Sequence, residues 1–245
     1  ELADHIADLL TPEAAQGSYL DLWVEGELRY RIKPAKVVKT VKARQAEGAV
    51  FSGDGEEPLY GSTYLPRKFK VAVTVPGDNS VDLLTQDIGL VLFCDPQGRP
   101  QGCNVYVGGG MGRTHRKEET FARTADPLGW VAIEHVLDLV QAIAALQRDH
   151  GDREQRRHSR MKYLIHDRGI RWFKSELGRY FLHPIGGLRK EPKARLTDYL
   201  GWNRQGDGLW FVGLPLLCGR LEGTLKAGLR QLVQTYQLEV RLTPN

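Results

Sequence analysis

The chain has 245 residues, 41% hydrophobic and 26% charged, with a formal net charge of +4. That length supports one large core or two smaller ones. A mean hydropathy of −0.38, with no apolar run near the roughly 20 residues of a membrane helix, argues against a helical membrane protein. The mild basicity suits an anionic substrate, an acidic partner or nucleic acid without choosing among them. Cys94, Cys103 and Cys218 are the only cysteines, with no C-x-x-C and no close Cys/His pairing. This argues against a zinc site or disulfide framework and fits a reducing compartment.

In chain order, Leu2, Ile6, Leu9 and Leu10 predict a helix ending near Thr11-Pro12. Ser18 to Val24 reads as a strand, and residues 31–58 as a turn-rich surface excursion. Strands are predicted over Phe69–Val75, Ile88–Phe93 and Gly102–Val107. Gly108-Gly109-Gly110 and Gly112 open a basic loop, and Val131–Leu146 carries helical spacing. A charged run from Arg148 to Lys162 leads to a predicted helix over Ile170–Phe181, then a linker over 184–197. A strand over Gly208–Leu217, a helix over Gly223–Tyr236 and a strand over Leu238–Leu242 would form a β-α-β unit, half of a ferredoxin-like fold.

Three segments could carry chemistry. In Leu65-Pro66-Arg67-Lys68-Phe69-Lys70, strand alternation puts Lys68 and Lys70 on one face with Phe69 on the other. Two adjacent ammoniums suit an anion site; a solvated basic strand edge explains the same pattern. The glycine loop matches neither G-x-G-x-x-G nor G-x-x-x-x-G-K-[ST]. Glycines in series let backbone approach a flat ligand, and Arg113, Arg116 and Arg123 could meet its acidic edge. The run 148–162 could clamp carboxylates or phosphates through arginine forks, act as a nucleic-acid footprint, or simply be a solvated face. The seven histidines form no H-x-x-x-H pair or H-E-x-x-H, which argues against a histidine metal site, and no metal ligand is predicted. His115, inside the basic loop, stands out among them.

Order and wording together are more specific. Tyr64-Leu65-Pro66-Arg67-Lys68-Phe69-Lys70, Asn79-Ser80-Val81-Asp82-Leu83-Leu84-Thr85-Gln86-Asp87-Ile88 and Gly108-Gly109-Gly110-Met111-Gly112-Arg113-Thr114-His115-Arg116 resemble the sirohaem-dependent sulfite reductase haemoproteins. So do Gln147-Arg148-Asp149-His150-Gly151, Ser159-Arg160-Met161-Lys162 and Tyr199-Leu200-Gly201-Trp202. The glycine-loop wording is closest to the ferredoxin-dependent, plant and cyanobacterial branch.

The resemblance implies an α/β (α+β) haemoprotein domain with a mixed or antiparallel sheet over 1–190 and half a ferredoxin-like unit over 198–245. It implies reduction of sulfite to sulfide by six electrons from ferredoxin, at a sirohaem coupled to a [4Fe-4S] cluster. Lys68 and Lys70 match the family's substrate-side lysines, and Arg67 a residue beside the sirohaem carboxylates. Arg113, Arg116, Arg123, Arg153, Arg156 and Lys162 are expected at the cofactor by position and charge. Two further substrate-side arginines and the four cluster cysteines are expected outside this stretch, so an internal fragment, inactive alone, is expected. A nitrite reductase of the same family is the nearest alternative, and a basic nucleic-acid-binding module the alternative of another class. The expected location is cytoplasm or plastid stroma.

Overall fold

A computed structural model describes residues 1–12, 20–24, 27–32, 59–61, 64–195 and 198–243. These divide into two units, Glu1–Pro76 with Asp82–Pro192, and Gly77–Val81 with Lys193–Asn245. The surface excursion expected over 31–58 lies outside the described residues from 33 onward.

The first unit is built on a four-stranded mixed sheet: β3 (Val71–Thr74), β4 (Ile88–Cys94), β5 (Pro100–Val107) and β6 (Asp126–Ala132), in that spatial order. β3 and β4 are parallel, and the other pairs antiparallel. A separate antiparallel hairpin joins β1 (Leu20–Val24) to β2 (Glu27–Ile32). Period-2 alternation sends Cys103, Val105 and Val107 into the core and Asn104 and Tyr106 to the opposite face.

Against the core face lie α1 (Leu2–Leu9), α2 (Ile133–His150), α3 (Met161–Arg168) and α4 (Ile170–Leu177). In α2, Val136, Leu139, Val140 and Ile143 recur at helical spacing, and every residue from Leu139 to Arg148 is buried. A helix enclosed on all sides must satisfy its polar side chains. The Gln147 amide nitrogen donates to the Ser159 carbonyl at 2.8 Å, and the Arg148 guanidinium to the Leu59 carbonyl at 2.6 Å, while the Gln147 Oε1 is buried without a hydrogen-bond partner.

Several expectations change. β6 occupies Asp126–Ala132, where only a helix from Val131 was expected, and Pro127 and Gly129 in that segment mask its strand signal. The expected helix over 170–181 is preceded by α3, the two meeting at Gly169 with φ +83°, a backbone angle that glycine adopts without steric cost. The expected linker is a bound strap over 184–192. Gly186 and Trp130 exchange both backbone hydrogen bonds at 2.9 Å. The Asn104 amide donates to the Arg189 carbonyl and to Glu191, Tyr106 Oη also donates to Glu191, and the Arg189 guanidinium sits 3.6 Å from the Trp130 ring centroid. Burial, with Glu191 beside it, pushes the Tyr106 hydroxyl up to about 12.

The second unit contains the antiparallel hairpin β7 (Gly201–Arg204) and β8 (Trp210–Gly213), followed by α5 (Gly223–Tyr236). Residues 77–81 join it: the Arg195 N–H donates to the Gly77 carbonyl at 2.9 Å, and Tyr199 Oη to Asp78 at 3.0 Å. The strand expected over Leu238–Leu242 is not formed, because its backbone has no ladder partner among the described residues. Among the described residues the half unit is therefore β-β-α.

Candidate anion and cofactor site

The site begins with a carboxylate at the entrance to β4. Asp87 is fully buried, and one oxygen accepts the Lys70 backbone N–H at 3.0 Å and the Arg160 guanidinium at 2.8 Å. The Ile88 N–H donates to the Lys70 carbonyl at 3.0 Å, so the parallel β3–β4 ladder fixes Lys70 beside Asp87. The regular strand starts only at Val71. Phe69 still packs into the core while Lys68 stays exposed and Lys70 half-buried.

Arg160, at the N-terminus of α3, also donates to the Gly109 carbonyl at 3.2 Å. Two residues on, Lys162 is almost fully buried and its ammonium donates to the carbonyls of Gly110 at 3.2 Å, Gly112 at 2.7 Å and Phe121. Lys70, Arg160 and Lys162 thus gather around one buried carboxylate, with Lys68 at the edge. Burial lowers the Lys70 ammonium from its ordinary value; Arg160 and Lys68 lower it further, and Asp87 opposes them. Burial, then Arg160, brings Lys162 down to about 8 against the pull of Asp87. Burial outweighs Arg160 and Lys70 at Asp87, whose carboxyl is held above the usual range. One Asp87 oxygen and the Arg160 Nε are buried without a hydrogen-bond partner. A buried polar atom without a partner carries a desolvation cost that a bound ligand or water would relieve.

The glycine loop is shaped by protein on both sides. A Cβ on Gly109 would lie 2.2 Å from the Leu84 carbonyl oxygen, and one on Gly110 2.6 Å from the Arg160 guanidinium. These glycines let backbone approach backbone and arginine, rather than a ligand. Gly112, by contrast, faces open space.

The predicted site residues separate accordingly. Lys70 and Lys162 belong to the buried cluster, with Lys68 beside it. Arg123 is turned inward, donating to the Gly108 carbonyl at 2.9 Å and pairing with Asp126 at 2.6 Å. Arg153 bonds the Tyr64 and Arg148 carbonyls, which ties the charged run to the segment carrying Arg67. Arg113, Arg116 and Arg156 are exposed and Arg67 half-exposed. The run 148–162 is consequently not one face: Arg148, Arg160 and Lys162 point inward, and Arg153, Arg156 and Arg157 outward.

Asp87 and Arg160 were not among the predicted site residues. Their signal was a lone carboxylate opening an otherwise apolar strand, and an arginine two residues before Lys162. Neither reveals that the two side chains meet.

The family model described as "Nitrite and sulphite reductase 4Fe-4S domain" matches residues 31–185. The chain belongs to the nitrite and sulphite reductase family. Residues 203–245 match the model described as "Nitrite/Sulfite reductase ferredoxin-like half domain". A "Sulfite reductase [ferredoxin]" from Synechococcus elongatus is 54% identical over 245 residues, covering 98% of this chain and 38% of that protein. A "Sulfite reductase [NADPH] hemoprotein beta-component" from Shewanella putrefaciens is 40% identical over 198 residues, covering 77% of this chain and 34% of that protein. The Mycobacterium tuberculosis NirA protein structure aligns with a TM-score of 0.59 at 28% identity, covering 77% of this chain and 36% of that one. The chain therefore spans little more than a third of the relatives it matches.

Proposed function

We propose that this chain is part of an assimilatory sulfite reductase that reduces sulfite to sulfide with six electrons from ferredoxin. It would contribute the substrate-side lysines and part of a sirohaem pocket. The observation that carries the reading is the excess of cations around Asp87: Lys70, Arg160 and Lys162, with Lys68 beside them, against one buried carboxylate. Such an imbalance is costly unless an anion offsets it. The match to a ferredoxin-dependent sulfite reductase supports the choice of anion and donor.

The residues fit sirohaem chemically. The group carries many carboxylates, and the chain offers a buried Arg160 Nε without an acceptor, open space at Gly112, and the exposed guanidiniums of Arg113 and Arg116. Arg67, Arg113, Arg116, Arg153 and Arg156 would hold its periphery. Arg123 and Lys162 would set the shape of the glycine loop from inside. When bound, sirohaem would supply the iron and pass on the electrons that ferredoxin donates. The chain's own part is to attract the sulfite dianion to the Nζ atoms of Lys68 and Lys70 and to deliver protons from them as S–O bonds break. The lowered proton affinity of Lys70 suits it to donate.

The residues do not fit the [4Fe-4S] cluster. Cys94 and Cys218 are exposed, while Cys103 is buried, its thiol pushed up to about 12 by burial. Among the described residues no cysteine belongs to a group of three or more metal-ligating side chains. Cluster ligands would have to come from the rest of the polypeptide, and the 245-residue chain alone should be inactive.

In the complete enzyme, Lys68→Ala and Lys70→Ala should each lower kcat/KM for sulfite by about 10²–10⁴-fold, the usual contribution of general acid catalysis. Unchanged sulfite reduction by both variants would remove the lysines from the mechanism. Higher kcat/KM for nitrite than for sulfite in the parent enzyme would replace sulfite by nitrite as substrate.

A further inference from the structure

On the outer side of the first unit, the fold assembles a group that the sequence does not announce. His135 and Asp138 lie three residues apart on one face of α2. His183 follows α4, in the short segment between the buried Phe181 and the strap. One ligand atom from each of the three residues lies within 4.8 Å of the others. The two imidazole rings stack at 3.7 Å between centroids, 11° from parallel, and His183 Nε2 is 3.7 Å from an Asp138 carboxylate oxygen.

Both sides of His183 are anchored. Phe181 is buried and meets the His183 ring edge-on at 5.3 Å. Beyond it, Gly186 is held by its paired hydrogen bonds to Trp130. The position of the histidine is thus set by the fold, while 41% of its side chain remains open to solvent.

We infer that His135, Asp138 and His183 form a binding site for a divalent transition-metal ion of the zinc class. Two imidazole nitrogens and a carboxylate oxygen are the donor set that borderline ions prefer, and solvent access at His183 leaves a fourth position for water. Zinc requires ligand distances near 2.0–2.2 Å, so the stacked rings must swing apart about their side-chain bonds to meet one ion. The backbone need not move far, because the three groups already share one small patch. A bound ion would join α2 to the start of the 184–192 strap and thereby fasten the segment that covers Asn104 and Tyr106. None of the three residues belongs to the cation cluster around Asp87, so the inference does not depend on the proposed reductase function.

The test uses the full chain, stripped with EDTA, with Cys94→Ser and Cys218→Ser to remove the exposed thiols. Titration with zinc chloride should show one saturable equivalent by calorimetry, and cobalt(II) should give the visible absorption of a low-symmetry, four-coordinate site. His135→Ala and His183→Ala should each weaken zinc by at least about tenfold, since even outer-shell losses cost that much. Asp138→Asn, which keeps the side-chain shape, should also weaken it. With free zinc at about a hundred times Kd, Tm should rise by about 5–10 °C in the parent and not in His183→Ala. Absence of saturable binding, or a Kd in both histidine variants equal to that of the parent, overturns the site. A fall in Tm for His183→Ala without zinc binding in the parent would leave only a ring stack, and overturns it equally.

Discussion

Two helices of similar sequence character have opposite surroundings. α2 buries eleven of its residues, including Gln141, Gln147 and Arg148, whereas α5 buries none among the described residues. The same contrast holds for the strands: β4 and β5 fill a core, while β7 and β8 leave Trp202 and Trp210 exposed at 74% and 53%. Amphipathic spacing announces that a face wants cover, but it does not say whether the surrounding chain provides it. The first unit closes around its own core, whereas the described part of the second presents apolar surface, as a half domain would.

The largest effect expected from this contrast is in hydrogen exchange. Central amides of α2 open only with much of the unit, whereas those of α5 need little more than helix fraying. In the full chain α2 should exchange at least about 10³-fold more slowly than α5, for a unit of ordinary stability. Equal protection would show that α5 is held by contacts as extensive as those of α2.

Arg160→Ala comes next, because it breaks the buried ion pair that Asp87 makes at 2.8 Å. It should destabilise the first unit by about 3–5 kcal/mol in urea unfolding. A loss under about 1 kcal/mol would mean that the pair contributes little to folding. Leu139→Ala empties a fully enclosed site and should cost about 2–5 kcal/mol. Leu232→Ala on α5, where the side chain is half in water, should cost under about 1 kcal/mol. If the two leucine variants proved equally costly, the contrast between the units would fail.

The smallest effect is a pH dependence. Burial holds the Asp87 carboxyl above its ordinary 3.8, despite Arg160 and Lys70. On acidification the folded protein therefore takes up this proton before the unfolded chain does. Protonation favours folding below 3.8, and that contribution is lost as pH rises through the folded value. Carbon-13 titration of the Asp87 carboxyl should give a midpoint above 3.8, and Asp87→Asn should remove the matching slope in stability. A midpoint at or below 3.8 would show the two cations outweighing burial.

Much of the first unit was legible as local pattern. β4 and β5 follow from β-branched and apolar runs bounded by turns, and α2 from its three- and four-residue spacing. β6 was hidden because Pro127 and Gly129 interrupt its run, and its strand identity comes from pairing with β5. The strap looked like a linker because its composition is that of one; backbone pairing to Trp130 and side-chain contacts to Asn104 make it structural. Leu238–Leu242 shows the converse, a strand-like sequence without a ladder partner among the described residues.

The sequence by itself determined the family, the order of its motifs, the paired lysines 68 and 70 and the concentration of basic residues, because these are properties of neighbours along the chain. Only the tertiary structure decided which charges face inward. It set Asp87 against Arg160 across seventy-three positions, divided the 148–162 run between core and solvent, and brought His135 and Asp138 to His183. The reason is physical: desolvation and pairing depend on what surrounds a side chain in space, and spacing along the chain fixes that only within one helix or strand.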